Sequence, residues 1–366
     1  MSAAPAGGVA GELLGAGFDA PPLPARVLFG TGALDRLPEL VDALGARRVL
    51  VVASAGRGSL IERVVALLGD RLADVDTSAV MHVPARVASA AHARAESSGA
   101  DLVVALGGGS AIGLAKAIAL AGGPPIVAVP TTYSGSEMTA IWGLTRDGAK
   151  ETGRDERVRP RAVLYDPALT LSLPPRASGP SALNAVAHAV EALYAPDASP
   201  LVALAATEAL RALASSVSRV IRAPDDVAAR AEALYGAWLA GLALGASTMG
   251  LHHRLCHVLG GTFGLPHAET HAVLLPHTAA YNAAAAPAAM ATAGLALGTP
   301  DVPAALHALL ADVAGTTGAP ASLRALGMSA PDLDRAAAIA AARPYPNPRP
   351  VTVDGVRDVL QRAWDD

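Results

Sequence analysis

The chain has 366 residues, of which 52% are hydrophobic, 16% charged and 3% aromatic, and its formal net charge is -4. This apolar composition excludes a disordered chain, because burial can offset the conformational entropy lost on folding. The acidic balance and the few aromatic residues argue against a nucleic-acid partner. The single cysteine, Cys256, excludes an intramolecular disulfide scaffold and favours a reducing, cytoplasmic compartment.

The first segment, residues 1–24, is predicted to be a loose leader. It contains no basic residue and carries Glu12 and Asp19, so it lacks the charged beginning of a signal peptide. The most membrane-like stretch, residues 233–251, has no charge but contains four glycines and has no flanking Lys or Arg cluster. We interpret it as a buried core helix and predict no membrane span.

Between residues 25 and 168, short β-branched runs alternate with Ala- and Leu-rich segments of helical spacing. This alternation predicts βαβ units and a mainly parallel sheet, and the nearly continuous apolar strands indicate cover on both faces. The predicted strands are 48–53, 79–83, 102–106, 125–129 and 162–165, and the predicted helices include 60–72 and 89–98.

From residue 169 to residue 366 the pattern is helical, with no convincing strand. Alanine runs have the highest helix propensity, so we interpret them as packed helix rather than linker. The fold class predicted for the chain is an α/β Rossmann-like nucleotide-binding domain followed by an all-α domain. The predicted helices are 182–194, 201–222, 227–245, 252–259, 268–285 and 302–313, with a short amphipathic helix within 350–364.

Three glycines, Gly107, Gly108 and Gly109, stand between the predicted strand at 102–106 and a predicted helix. Glycines let a backbone approach a phosphate closely, and a helix N-terminus offers free N–H groups and a partial positive charge. Ser110 can cap that helix or donate to a phosphate oxygen. The alternative is a plain strand-to-helix turn. Because both flanking elements are predicted, we favour a phosphate loop over residues 107–110, the glycine loop.

A second candidate loop, residues 130–137, follows the next predicted strand and contains five hydroxyl-bearing side chains. Ligands of open α/β sheets lie at the carboxyl ends of the strands, so this hydroxyl loop is expected to hydrogen-bond a polar ligand. The alternative is a Ser/Thr-rich turn that caps the next helix. The five residues are Thr131, Thr132, Tyr133, Ser134 and Ser136.

Six of the ten histidines fall between positions 252 and 277. His253 and His257 are four residues apart and share one helix face, and His267 and His271 repeat that spacing. Such pairs suit metal ligation or proton transfer. A lone histidine is more often a core residue, but so many imidazoles in an apolar region need partners, so they predict a site.

Asn184 and His188 form another pair four residues apart on a predicted helix. Together with the downstream histidines they extend the candidate polar site to a second helix. The isolated His82 and His92 are interpreted as structural residues, and His307 as a surface residue.

These motifs together resemble the iron-containing alcohol dehydrogenase superfamily and, within it, the maleylacetate reductases. The superfamily pattern is the glycine loop with Ala115 and Lys116, the hydroxyl loop, and the Asn184 and His188 pair with the downstream histidines. The reductase-like segments are 81–84 (MHVP), 130–139 (PTTYSGSEMT), 250–265 (GLHHRLCHVLGGTFGL), 266–277 (PHAETHAVLLPH) and 347–350 (NPRP).

The resemblance implies a dinucleotide-binding domain at 25–168 and a helical substrate domain at 169–366, as in the dehydroquinate synthase-like fold. It implies NADH- or NADPH-dependent reduction of the C=C bond of maleylacetate to 3-oxoadipate, in aromatic compound catabolism. The partners it implies are a small dicarboxylate substrate and a second copy of the chain in a cytoplasmic homodimer.

The resemblance also implies which residues bind the cofactor. Lys150 matches a lysine that contacts the nicotinamide ribose, and His257 matches a histidine beside the nicotinamide ring. The pyrophosphate is implied to lie on the glycine loop and the nicotinamide on the hydroxyl loop. The implied cofactor-binding residues are Gly107, Gly108, Gly109, Ser110, Thr131, Thr132, Ser136 and Lys150.

Metal-binding members of the superfamily use one Asp and three His, and the matching positions here are Asn184, His188, His253 and His267. Asn184 supplies no negative charge, so divalent-metal affinity is expected to fall. We therefore expect no obligatory metal.

Maleylacetate is a dianion with an enone, so hydride addition at the carbon β to the ketone makes an enolate. That enolate needs an oxyanion stabiliser and then a proton. We expect His253, His257 and His267 to share these roles, with Tyr133 as a second proton donor. Arg254, or His252 as a cation, is expected to pair with a substrate carboxylate. The expected substrate-binding residues are His252, Arg254, His188 and Asn184.

The alternatives are a metal-dependent alcohol or aldehyde dehydrogenase of the same superfamily, a lyase of the dehydroquinate-synthase type, and a repurposed biosynthetic or non-catalytic relative. The choice between NADH and NADPH stays open. Residues 54–57 (SAGR) lack the acidic residue that selects a ribose 2′-hydroxyl, and Arg57 tolerates a 2′-phosphate.

Overall fold

The computed structural model describes residues 26–146 and 149–366, so the leader predicted at 1–24 lies outside the described residues. The described residues form two compact units, one ending at Leu173 and the other running from Pro174 to Asp366.

The first unit is built on a six-stranded parallel sheet in the order β1-β8-β5-β4-β2-β3. Every residue of β2, β4, β5 and β8 is buried, which explains their unbroken apolar sequences. The strands are β1 (Arg26–Phe29), β2 (Val49–Ala53), β3 (Leu72–Asp76), β4 (Leu102–Gly107), β5 (Ile126–Pro130) and β8 (Ala162–Tyr165), and an antiparallel hairpin adds β6 (Ile141–Arg146) and β7 (Ala149–Arg154).

Helices alternate with these strands, and the predicted α/β class is confirmed. The connection from β4 to β5 carries the glycine loop directly into a helix. The helices of this unit are α1 (Leu37–Ala43), α2 (Gly58–Leu68), α3 (Ala85–Ser97) and α4 (Gly109–Leu120).

The strand predicted at 79–83 is wrong. The strand lies earlier, at β3, and His82 and Val83 adopt φ angles of 63° and 44°, the only positive values at non-glycine residues in the described part of the chain. The Thr145 hydroxyl donates to the His82 carbonyl oxygen at 2.8 Å, and the Thr145 N–H donates to the Val83 carbonyl oxygen at 3.1 Å. The apolar residues of this segment therefore belong to a strained loop bound to β6.

The second unit is helical, as predicted. Its central helix is α5 (Pro175–Leu193), in which every residue from Ser178 onward is buried. The others are α6 (Pro200–Arg222), α7 (Val227–Gly245), α8 (Leu251–Phe263), α9 (His267–Ala283), α10 (Pro287–Leu297), α11 (Val302–Thr317), α12 (Asp332–Ala341) and α13 (Val353–Asp365).

Among the described residues, one helix, α6, is long and apolar enough to cross a membrane by length and composition alone. It packs against α5 and α7, and 56% of its most apolar window is buried inside the protein. These contacts are those of a core helix. The uncharged stretch 233–251 is not one continuous helix, because α7 ends at Gly245 and α8 begins at Leu251.

Candidate active site

The two predicted ligand loops of the α/β unit lie side by side at one edge of the sheet. Strands β4 and β5 are adjacent and parallel, and Gly107 pairs with Pro130 in their register. The Thr131 N–H donates to the Gly107 carbonyl oxygen at 3.0 Å, which joins the loops where the two strands end. The carboxyl ends of parallel strands are where open α/β sheets bind ligands.

The three glycines of the glycine loop have different geometric roles. Gly107 has a φ of 145°, a conformation that favours glycine. A Cβ atom on Gly108 would lie 2.7 Å from the Thr132 Cγ2 atom, so this glycine lets the two loops touch. A Cβ atom on Gly109, the first residue of α4, would meet no protein atom within 4 Å. The helix N-terminus therefore faces open space, where a phosphate can approach its N–H groups.

Two hydroxyl groups of the hydroxyl loop lack internal partners. The Oγ1 atoms of Thr131 and Thr132 are buried and have no hydrogen-bond partner among the residues that the structure describes. Buried polar atoms are normally paired, so these hydroxyls call for a ligand. Together with the open glycine loop, they fit the polar edge of a dinucleotide such as NAD(P)H.

The other predicted residues of this unit lie in the hydroxyl loop and in the β6–β7 hairpin. Tyr133 is fully buried. Ser136 offers its carbonyl oxygen to the Lys116 Nζ atom at 2.7 Å. Lys150 pairs with Thr145 across the β6–β7 hairpin. Burial, and then the charge of Lys150, lower the pKa of His82.

The buried Lys116 side chain has a structural role in this geometry. Its Nζ atom donates to the carbonyl oxygens of Ser136 and Ile141, both at 2.7 Å, and to the Thr139 Oγ1 atom at 2.9 Å. Burial lowers the pKa of Lys116 to about 7, and the charge of the buried Glu137 carboxyl opposes that shift. Lys116 thus fastens the end of the hydroxyl loop to α4.

In the helical unit, helix α5 brings Asn184, His188 and Glu191 to one face, because they are spaced by four and three residues. All three are buried, with at most 3% of each residue exposed. Glu191 was missed by the sequence analysis, although its spacing from His188 was a usable signal.

The buried Glu191 carboxylate is stabilised by the N-terminus of α8. It accepts hydrogen bonds from the backbone N–H groups of His252 at 2.9 Å and His253 at 3.3 Å. Gly250 permits this approach, because a Cβ atom there would lie 3.2 Å from the Glu191 Oε1 atom. A helix N-terminus is a favourable place for a buried carboxylate, since its N–H groups and dipole favour negative charge.

Four buried histidines, His188, His252, His253 and His271, form what we call the imidazole cluster. The first pair is anchored by Glu191, which accepts a short hydrogen bond from His253 Nδ1. The other ring nitrogen, His253 Nε2, lies 2.8 Å from His188 Nδ1. Because His253 Nδ1–H donates to the carboxylate, His253 Nε2 is an acceptor, and donor and acceptor counting assigns His188 Nδ1 as the donor to it.

The second pair of the imidazole cluster is anchored by Thr278. Its hydroxyl lies 3.0 Å from the Leu274 carbonyl oxygen, to which it donates, and 2.9 Å from His252 Nδ1, which must therefore be the donor to it. His252 Nε2 is then an acceptor, and His271 Nδ1 donates to it at 2.9 Å. This leaves a lone pair on His271 Nε2, which is buried and has no hydrogen-bond partner in the described part of the chain.

His252 differs from what the sequence predicted. It is 1% exposed, both of its ring nitrogens are engaged, and burial lowers its pKa well below the ordinary value of 6.5. The neutral, buried ring contradicts the expectation of a protonated His252 paired with a substrate carboxylate.

The remaining predicted residues surround the imidazole cluster. The rings of His257 and His253 are 6.4 Å apart between centroids, and those of His267 and His271 are 4.5 Å apart. The Arg254 guanidinium donates through Nη2 to the Ile339 carbonyl oxygen at 3.2 Å. The predicted site residues did not include His271, which is a member of the imidazole cluster. They also did not include Thr278 and Glu191, which hydrogen-bond to the cluster.

The donor set does not match the four-residue metal site of the superfamily. Three histidines, His188, His253 and His271, offer nitrogens within 4.8 Å of one another, but His267 is not in this group. His188 Nδ1 and His253 Nε2 are hydrogen-bonded to each other, with 2.8 Å between the two nitrogens. Two ligand atoms of a tetrahedral zinc ion stand farther apart, at about 3.3 Å. Asn184 adds no charge. We therefore derive no step through a metal at this site.

Two family models match the chain. Residues 24–167 match the model described as iron-containing alcohol dehydrogenase, and residues 180–364 match the C-terminal model of the Fe-containing alcohol dehydrogenase family. Together they span most of the chain and coincide with its α/β and helical parts.

Curated relatives and solved structures are similar over nearly the whole length. The maleylacetate reductase of Burkholderia cepacia is 51% identical over 93% of this chain and 96% of its own, and maleylacetate reductase 2 of Cupriavidus pinatubonensis is 52% identical over 93% and 95%. The crystal structure of maleylacetate reductase from Agrobacterium tumefaciens is 46% identical, with a TM-score of 0.89 over 95% of this chain and 98% of that one. The chain therefore belongs to the iron-containing alcohol dehydrogenase family and groups within it with the maleylacetate reductases.

Proposed function

We propose that this protein reduces the C=C bond of maleylacetate to 3-oxoadipate with NADH or NADPH, in aromatic compound catabolism. The observation that carries the proposal is the imidazole cluster, which is hydrogen-bonded to the buried Glu191 and Thr278 in the helical unit. The similarity to maleylacetate reductases supports the substrate, and the open glycine loop with its two unpaired threonine hydroxyls supports the cofactor.

The chemistry requires a hydride at the carbon β to the ketone, which NAD(P)H supplies when bound. The electrons of the C=C bond move onto the ketone oxygen to form an enolate. That oxyanion needs a hydrogen-bond donor, and the α carbon then needs a proton. Because both ring nitrogens of His253 are engaged by Glu191 and His188, we assign these two roles to His257 and His267, with Tyr133 as a further proton donor. His253 is assigned as a positioning residue beside His257.

The substrate carboxylates need cationic partners. Arg254 fits this role, because one of its nitrogens binds the Ile339 carbonyl oxygen while its Nε atom is buried without a hydrogen-bond partner among the described residues. A guanidinium that is held through one nitrogen and has an unsatisfied N–H group at another is suited to pair with a carboxylate. Asn184 and His188 complete the substrate-binding set that we propose.

On the cofactor side, we assign the pyrophosphate to Gly107, Gly108, Gly109 and Ser110 of the glycine loop. The nicotinamide end is assigned to the hydroxyl loop and Lys150. Arg57 donates to the Ser172 Oγ atom at 3.1 Å, which holds its guanidinium near the carboxyl end of β2. With no acidic residue there, we propose that both NADH and NADPH are accepted. The residues assigned to the nicotinamide end are Thr131, Thr132, Ser136 and Lys150.

We assign cofactor binding to residues 25–168 and substrate chemistry to residues 169–366. We further propose a cytoplasmic homodimer without an obligatory metal. The competing function, a metal-dependent alcohol or aldehyde dehydrogenase, is favoured by the three imidazole nitrogens within 4.8 Å of one another.

The deciding experiment treats the protein with a chelator and then follows NADH oxidation with maleylacetate. We expect full activity without added metal, and 3-oxoadipate as the product by mass spectrometry. Activity that appears only after iron or zinc is added, with an alcohol or aldehyde as the substrate, would favour the competing function. Turnover without net consumption of NADH would indicate a lyase instead.

A further inference from the structure

A second group of ligating side chains lies apart from the imidazole cluster, where three helical segments meet. His277 is on α9, His307 is on α11 and Asp366 directly follows α13; both α11 and α13 pack against α9. The Oδ2 atom of Asp366 lies 3.4 Å from His307 Nε2 and 3.7 Å from His277 Nε2. We call these three residues the outer cluster.

His277 indicates what kind of ligand the outer cluster can bind. Only 4% of its side chain is exposed, and its Nε2 atom has no hydrogen-bond partner within the described part of the chain. A neutral imidazole has a nitrogen lone pair, which is the form that binds a metal ion.

We propose that the outer cluster is a binding site for a divalent transition metal of the zinc class. The two histidine nitrogens and the carboxylate oxygen already lie within 4.8 Å of one another. Ligands of a tetrahedral zinc ion stand about 3.3 Å apart, so only small rotations are needed. His307 and Asp366 are about half exposed and free to make them, and solvent can fill the fourth position.

One positive charge opposes the metal. Arg362 lies one helical turn before Asp366, in the last turn of α13. Its charge acts on His277 in the opposite direction to that of the Asp366 carboxylate. Replacing Arg362 with Gln is therefore expected to tighten metal binding several-fold, whereas a merely adventitious surface contact elsewhere would not respond.

The proposal is independent of the reaction assigned to the imidazole cluster, because it uses none of those residues. A bound ion would join α9, α11 and the segment after α13. Any ligand that binds only the folded state raises the melting temperature, so occupancy of the outer cluster should stabilise the helical unit.

The test uses the full chain, cleared of metal with a chelator and then dialysed against Co(II) or Zn(II). We expect the wild type to bind one more equivalent than H307A, by elemental analysis, and its Tm to rise with metal while that of H307A does not. D366N should weaken binding at least ten-fold. H92A, a change on α3 in the other unit, is the matched control and should bind as the wild type does.

His277 is buried, so the test rests on the exposed His307 and Asp366, whose replacement leaves the core intact. Equal metal content and equal affinity in the wild type, H307A and D366N would overturn the proposal, as would a wild type that binds no metal at all. Metal bound at the imidazole cluster cancels in this comparison, because both proteins carry that cluster unchanged.

Discussion

At the scale of single residues, the imidazole cluster shows how atoms outside a ring decide what the ring can do. The Thr278 hydroxyl has one proton, and the Leu274 and Leu275 carbonyl oxygens at 3.0 and 3.2 Å both compete for it. His252 Nδ1 must therefore donate to Thr278, and the assignment propagates to His271. Thr278, which is linked to His271 through His252, therefore determines which nitrogen of His271 carries a lone pair.

This assignment predicts different outcomes for two changes at Thr278. T278V keeps the shape but removes the acceptor of His252 Nδ1, which leaves a buried N–H group unpaired at a cost of about 1–3 kcal/mol. We expect turnover to fall at least ten-fold while the Kd for NADH is unchanged. T278S keeps the hydroxyl and should restore both turnover and stability.

The direct measurement is the ¹⁵N NMR spectrum of histidine-labelled protein, with H271N used to assign the signals. In the wild type, the Nε2 signals of His252 and His271 should be those of unprotonated nitrogens, and T278V should alter them. A protonated His271 Nε2 in the resting wild type would contradict the assignment.

At the scale of elements, patterns local in the chain were predicted well. Helix α7 begins and ends where predicted, because Asp226 caps its first turn and the apolar spacing continues to Gly245. The pairing of β6 with β7 was missed, since β7 (AKETGR) is mostly polar and the register of the pair depends on contacts across the hairpin. The strand predicted at 79–83 was wrong because the segment is a loop bound to Thr145, in which Val80 and Met81 are exposed.

In the candidate site, too, the local patterns were predicted and the long-range contacts were not. The four-residue spacings in α5, α8 and α9 identified most of the imidazole cluster, because they are local. The bond from Glu191 to His253 spans 62 residues of sequence, and no spacing rule reveals it. The burial of His252 likewise could not be predicted from the sequence, because it depends on how helices α5, α8 and α9 pack.

The glycine loop gives a prediction about a single element, the start of α4. G109A adds a methyl group where no protein atom lies within 4 Å, so the fold should tolerate it. The same methyl group would occupy the space assigned to the cofactor phosphate. We expect an unchanged Tm and a Kd for NADH raised at least ten-fold.

The matched control is G58A, at the start of α2, where an added Cβ atom also meets nothing within 4 Å. It should leave both the Tm and the cofactor affinity unchanged. If G109A bound NADH as tightly as G58A does, the phosphate would have to lie elsewhere.

At the scale of the whole molecule, burying neutral imidazoles links stability to pH. Burial lowers the pKa values of His252 and His271 well below 6.5, while in the unfolded chain these groups take up protons near 6.5. Below that pH the unfolded state binds more protons than the folded state, so acid shifts the equilibrium toward unfolding.

We therefore expect the free energy of unfolding to decrease as the pH falls below about 6.5, by about 1.4 kcal/mol per pH unit for each of the two imidazoles. The loss continues until the pH reaches their lowered values in the folded protein. Denaturant titrations at pH 7, 6 and 5, with a chelator present, measure it. H271N should make the decline shallower, and an equally steep decline in H271N would contradict the account.

The fastening of the hydroxyl loop by Lys116 has a consequence for how the sequence can drift. Only two of the 28 basic residues are lysines, so the chain has accepted arginine almost everywhere that a positive charge is needed. At position 116 three acceptors converge on one nitrogen within 2.9 Å, a demand that a tetrahedral ammonium meets and a planar guanidinium does not. A mutational bias toward arginine therefore meets a geometric barrier at this position. The bias toward arginine is evident in the composition of the chain. At position 116 the stereochemistry of the three acceptors outweighs that bias.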